Sequence, residues 1–174
     1  SSILNYLSAM SPFLQESARF LHALDELKGK SVLVLGHRRP DGDCIGSQVG
    51  LTRVLIELGI DARAVNQDPI PRTLTKFVGD TPFYSPDQVE GDDYTIVTVD
   101  CADKKRVGEE LNARFPDIFL NVDHHVSNNN YAKINFVLSD ASATGEILAK
   151  FFLDNEMTID STTADALYVG IATD

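Results

Sequence analysis

A chain of 174 residues with 43% hydrophobic and 24% charged content has the make-up of one globular domain with a sizeable core. Its net charge of −11 argues against a broad basic surface that grips long duplex nucleic acid. No apolar run approaches the roughly 20 residues of a membrane span. Cys44 and Cys101 form no C-x-x-C pair, and the N-terminus lacks the layout of a secretion signal, so a reduced, cytoplasmic setting without a membrane partner is expected.

The predicted elements alternate. Ile3 to Leu27 reads as helix, with Ile3, Leu7, Met10, Leu14, Phe20, Leu24 and Leu27 near helical spacing, Pro12 as a break or first-turn residue, and Gly29 closing it. Ser31 to Gly36 is a short apolar run, the pattern of a strand buried on both faces. Ile45 to Leu58 reads as helix ended by Gly59, and Asp61 to Val65 as a second strand. The polar, Pro-rich stretch from Asn66 to Phe83 holds a short helix near Pro71 to Phe77. Then come a strand at Tyr94 to Val99, a helix at Lys104 to Arg114, and strands at Ile118 to Val122 and Lys133 to Val137. Helices at Ala143 to Leu153 and Thr162 to Thr173 complete the set. Strands alternating with helices predict an α/β fold, a Rossmann-like parallel sheet flanked by helices on both faces. No internal repeat, low-complexity tract or linker interrupts it.

Three strand-like runs end in Asp or His. The first leads to His37-Arg38-Arg39-Pro40-Asp41-Gly42-Asp43, the second to Asp100, the third to Val122-Asp123-His124-His125. In an open parallel sheet the carboxyl ends of the strands converge on one crevice. Carboxylates and imidazoles gathered there suit divalent metals, and metals there suit phosphoryl chemistry. Each segment also has a plainer reading. Asp41, Gly42 and Asp43 are turn formers, with Gly46-Ser47 opening the next helix. Asp100 has the alternative of an N-cap or loop residue. Asp123-His124-His125 runs into the loop-like Val126-Ser127-Asn128-Asn129-Asn130, so it also reads as a surface turn. Adjacent histidines project to different sides, so one can ligate while the other faces substrate and Asp123 orients an imidazole from behind. Asp174 either completes a metal shell or is an ordinary chain end. Ser142, Thr144 and Glu146 read as helix-capping residues.

Taken together, the segments resemble the DHH phosphoesterase superfamily. The matching pieces are His37 to Ser47, Val99-Asp100, Val122-Asp123-His124-His125 and Gly170-Ile171-Ala172-Thr173-Asp174, in the family's order and near its spacing. Ala141 to Glu146 resembles the oligoribonuclease and phosphoadenosine-phosphate phosphatase branch. The resemblance implies two manganese ions, with magnesium as the other fit. His37, Asp41 and Asp100 would surround one ion; Asp43, Asp100, His124 and Asp174 would surround the other, with Asp100 bridging. It further implies catalytic roles for Asp100, Asp123 and His125, the last approaching the scissile phosphate. Relatives carry a second, DHH-associated domain that the 174 residues do not contain, so residues 1–174 are expected to be an N-terminal catalytic domain cut short at its C-terminal end.

The expected function is two-metal hydrolysis of short oligoribonucleotides, of the 3′-phosphate of phosphoadenosine phosphate, or of both. A cyclic dinucleotide, single-stranded DNA, pyrophosphate and a non-catalytic nucleotide-sensing role stand as alternatives. With no Trp and net charge −11 there is little sign of a stacking, basic groove for single-stranded DNA. A homodimer is expected on general frequency alone.

Overall fold

The computed structural model describes residues 13–174. Ile3, Leu7, Met10 and Pro12, placed above in the first helix, lie outside the described residues. The helices are α1 (Leu14–Asp25), α2 (Gly42–Glu57), α3 (Thr75–Val78), α4 (Glu109–Arg114), α5 (Thr144–Asp154) and α6 (Ser161–Thr173). The strands are β1 (Ser31–Leu35), β2 (Asp61–Val65), β3 (Phe83–Tyr84), β4 (Thr95–Val99), β5 (Leu120–Asp123) and β6 (Ile134–Val137). All six strands pair parallel in the order β3-β2-β1-β4-β5-β6.

The apolar runs are two-sided because the sheet is covered on both faces. Val32 and Val34 of β1 pack with Phe20, Leu24, Leu51, Leu55, Phe151 and Phe152 of the helices on one face. Leu33 and Leu35, pointing the other way, pack with Val107, Leu111, Phe115 and Ile118. Strand order reverses between β1 and β4: the chain winds outward to β3 on one side and to β6 on the other. A crevice opens at such a switch point, at the carboxyl ends of the two strands.

Three local differences from the sequence reading have physical causes. Helix α2 starts at Gly42 rather than at Ile45, because Asp41 is its N-cap and accepts a hydrogen bond from the Cys44 N–H at 2.9 Å. Gly42 is therefore helical, and its need is space: an added Cβ would collide with Thr173 of α6. The segment read as one helix over Lys104 to Arg114 is a 3-10 turn (Lys104–Val107) and then α4, parted by Gly108 at φ 111°. Strand β3 begins on the last residue of the polar stretch and is absent from the sequence expectation; two residues are too few to show a period, and only pairing with β2 defines it.

Candidate metal centre

Each chemistry-bearing segment leaves the carboxyl edge of the sheet. His37 follows β1, Asp41 and Asp43 begin α2, Asp100 follows β4, and Asp123 ends β5 with His124 and His125 beyond it. Asp174 lies at the end of α6, which packs along α2. The two helices approach closely because Gly42, Gly46 and Gly50 form one stripe, with Thr173, Ala166 and Leu167 of α6 where their side chains would stand. That approach carries Asp174 to the crevice.

His37 is 6% exposed. Its Nδ1 stands 2.7 Å from the Arg38 carbonyl oxygen, which can only accept, so Nδ1 carries the proton and Nε2 is left facing Asp100 at 3.4 Å and Asp41 at 3.7 Å. Burial pulls the His37 pKa down, but the Asp100 and Asp41 carboxylates outweigh it and the net shift is upward. Asp41 moves the other way, held below its ordinary value chiefly by His37.

Asp43 is buried behind it. The N–H groups of Thr144 and Gly145, at the N-terminus of α5, each donate to one of its oxygens at 2.9 Å, and Ser47 Oγ approaches at 3.3 Å. Burial first, and Asp100 second, push its pKa up to about 8, against the pull of the two backbone donors. Asp100 is 2% exposed and adopts a left-handed backbone, φ 56°, at the end of β4. Strained backbone of this kind concentrates at functional sites. Thr144 Oγ1 donates to it at 3.0 Å.

His124 completes the arrangement. Its Nε2 lies 3.6 Å from Asp43, 3.6 Å from Asp100 and 3.2 Å from Asp174, yet it is a buried atom with no hydrogen-bond partner. The Asp174 pKa is raised, mainly by burial, with His124 opposing. His125 stands at the rim: its Nδ1 holds Asp123 Oδ1 at 2.6 Å and lies 3.9 Å from Asp100, while its side chain stays 37% exposed.

Among the described residues, three groups offer one ligand atom apiece within 4.8 Å of one another: His37-Asp41-Asp100, Asp43-His124-Asp174 and Asp100-His124-His125. Asp100 is shared by two of them. Four carboxylates meet here with imidazoles rather than with Lys or Arg, and the orphaned His124 Nε2 points among them. Both facts fit divalent cations, since neither the charge nor the buried nitrogen is satisfied by protein groups. An oxygen-rich set with imidazole suits manganese or magnesium. A separate cleft of about 560 Å³ lies at the opposite, amino edge of the sheet, between Tyr94, Phe119 and Lys133.

All eight candidate residues therefore gather at one crevice, with Asp123 buried behind His125 rather than in a donor group. Sequence reasoning missed Asn128, which donates to Asp123, and Asn121, which accepts from Asn128. It also treated Thr144 as a capping residue, whereas the N-cap of α5 is Ala143, which makes no side-chain cap, and the Thr144 side chain reaches Asp100. Ser142 and Glu146 do bond each other, at 2.6 Å. Cys44 and Cys101 are free and buried. No described helix is long and apolar enough to cross a membrane.

Fold and donor set together define a doubly wound α/β domain with an acidic, imidazole-bearing site at its switch point. The chain belongs to the DHH family, matching its N-terminal domain over residues 31–171. It is similar to a probable bifunctional oligoribonuclease and PAP phosphatase NrnA from Streptococcus mutans, 29% identical over 83% of this chain and 45% of that protein. It is also similar to a probable manganese-dependent inorganic pyrophosphatase of the same organism, 27% identical over 82% of this chain and 47% of that one. An exopolyphosphatase-related protein from Bacteroides fragilis shares the fold, with TM-score 0.75 and 20% identity over 90% of this chain and 49% of its own. The chain spans about half the length of the curated relatives it matches.

Proposed function

We propose that this domain hydrolyses phosphoesters of small nucleotides, short oligoribonucleotides and the 3′-phosphate of phosphoadenosine phosphate, with two divalent ions, manganese foremost and magnesium next. The observation that carries the reading is the shared carboxylate: Asp100 belongs both to the His37-Asp41 group and to the His124-His125 group, around an unpartnered His124 nitrogen. In this reading His37, Asp41 and Asp100 hold one ion, and Asp43, Asp100, His124 and Asp174 the other. Bound ions would polarise phosphoryl oxygens and bring a water's pKa toward neutrality.

The chain's own groups do the rest. The Arg38 carbonyl fixes the His37 tautomer so that Nε2 faces the crevice. The first turn of α5 donates two N–H groups to Asp43 and holds it in place. Asp123 orients His125, whose free Nε2 meets the scissile phosphate and passes a proton to it or to the leaving oxygen. Among the described residues, the exposed side chains of Arg38, Arg39, Lys105 and Arg106 pair with no carboxylate, unlike those of Arg53, Arg63 and Arg114. They flank His37 and Asp100, their two loops joined by the Arg38 N–H to the Arg106 carbonyl at 2.6 Å. An anionic substrate with more than one phosphate finds its countercharge there, although the whole chain is acidic.

A second reading, pyrophosphate hydrolysis, is favoured by the likeness to a manganese-dependent pyrophosphatase. The full-length protein, loaded with manganese, should be tested on phosphoadenosine phosphate, a labelled RNA trimer, cyclic di-AMP and pyrophosphate, with Asp100→Ala as control. Turnover of the first two, lost in the control, supports the reading. Turnover of pyrophosphate alone moves the assignment to the second. Nucleotide binding without turnover, retained in the control, points to a sensing module.

A further inference from the structure

The polar segment between β5 and β6 looks in sequence like an ordinary surface turn, but it is fastened from beneath by a continuous chain of hydrogen bonds. Asn128 Nδ2 donates to Asp123 Oδ2 and to Asn121 Oδ1, each at 2.8 Å. The Asn130 N–H donates to Asn128 Oδ1 at 2.8 Å, which fixes which end of the amide is which. Asn121 is fully buried and donates onward to Thr98 Oγ1 at 2.8 Å and to the Tyr131 hydroxyl at 3.0 Å. That hydroxyl donates to the carbonyl of Cys101, the residue after Asp100, at 2.7 Å.

The chain ends on Asp123. This carboxylate is fully buried, and its two oxygens have different holders: Asn128 on one, His125 Nδ1 on the other, at 2.6 Å. It belongs to none of the three donor groups, so it needs another reason for being buried. A buried carboxylate is costly unless its lone pairs are met. With Asn128 present, both oxygens are met in one rotamer, and that rotamer sets the plane of the His125 ring. Without Asn128, Asp123 Oδ2 loses its donor and the carboxylate is free to turn toward water, carrying the imidazole with it.

We propose that Asn128 is a positioning residue that holds Asp123, and through it His125, in the orientation needed at the phosphoryl group, with Asn121 and Tyr131 bracing it. This rests on the reading of the site as a phosphoesterase centre in which His125 meets the substrate.

The test uses the full-length protein with manganese and the substrates phosphoadenosine phosphate and an RNA trimer. Asn128→Ala should lower kcat by about 10–100-fold, the usual effect of removing an orienting partner, with KM and manganese affinity held. In a His125→Ala background the same substitution should change kcat by no more than about twofold, because the group it positions is gone. An equal loss in both backgrounds, or no loss in either, overturns the proposal. Should Asn128→Ala fail to fold, Tyr131→Phe removes only the hydroxyl: a fall in kcat confined to the background that keeps His125 supports the proposal, and an equal fall in both overturns it. The magnesium-loaded protein adds a readout free of turnover, the proton resonance of His125 Nδ1–H. Its loss or shift in Asn128→Ala supports the link even if no phosphoester is cleaved, in which case the functional reading fails by itself. An unchanged resonance with turnover intact overturns the link.

Discussion

Asp43 and Gly145 lie 102 residues apart and meet through a 2.9 Å hydrogen bond, the Gly145 N–H donating to an Asp43 oxygen. The contact docks the N-terminus of α5 onto the first turn of α2 and lets a carboxylate stand in the interior. It only partly offsets the burial, since the Asp43 pKa still rises to about 8. The site is thus built to be incomplete without positive charge.

A pH dependence follows. Asp43, ordinarily near 3.8, binds its proton more tightly folded than unfolded, so its contribution to metal-free stability is present at low pH and is lost as pH rises through 8. His37 is also raised, so its contribution is present below 6.5 and is likewise lost on the alkaline side. The chelator-treated protein should therefore melt lower at about pH 8 than at about pH 6, while added manganese, which replaces those protons, should widen its stabilising effect over the same interval. Thermal melts with and without manganese at the two pH values check this. A gap that does not change with pH would count against metal at this cluster.

Gly46 should tolerate no side chain. An added Cβ would run into the carbonyl oxygen of Ala166, a backbone atom of α6 that cannot swing aside. Gly46→Ala should cost about 1–3 kcal/mol of stability, the usual range for overpacking, and should weaken manganese binding because α6 carries Asp174. Gly59→Ala, where nothing lies within 4 Å and only the positive φ of 81° is strained, should cost about 1 kcal/mol and leave metal binding alone. Urea melts and manganese titrations of both variants separate the two effects.

Asp160 has two tasks far from the site. It caps α6 by accepting the Thr163 N–H at 2.8 Å and pairs with Arg53 Nη2 at 2.7 Å. The Arg53 side chain, first, and the Thr163 N–H hold its carboxyl well below the ordinary range. A depressed carboxyl contributes stability above about pH 4 and loses it as pH falls below that. Asp160→Ala should cost about 1 kcal/mol at neutral pH, as for a lost N-cap, and the difference from the parent should shrink in acid. Urea titrations at about pH 7 and pH 3 read it.

Arg38 and Arg106 should serve affinity rather than chemistry. Each side chain is exposed and forms no ion pair among the described residues, so replacing it by Ala should raise KM by about two- to five-fold, the scale of an exposed ion pair. Neither change should alter kcat, and both should fade as salt is added. Steady-state kinetics at low and high ionic strength would show this; a salt-independent loss of kcat would place the arginines in the chemistry instead.

Much of this could be read along the chain. The runs at β1 and β4 carry apolar residues on both faces because both faces are buried, and parallel sheets ask for that pattern. The Asp and His residues other than Asp174 were legible because their segments follow such runs, and every parallel strand delivers its end to the same edge. Less legible were the residues that hold these side chains. Asn128 sits among three consecutive asparagines, and nothing local marks it as the one aimed at Asp123. Thr144 looks like any helix-start residue until its hydroxyl is seen on Asp100, 44 residues earlier.

By itself, then, the sequence determined the parallel α/β sheet and the set of carboxylates and imidazoles at its carboxyl edge, since strand period and strand-end composition are local properties. Only the tertiary structure decided that Asp100 is shared, that α5 donates to Asp43, that the glycine stripe of α2 admits α6 and Asp174, and that Asn128 holds the Asp123-His125 pair. Those relations depend on how helices dock and which way buried side chains turn, and both are set by packing between segments far apart in the chain.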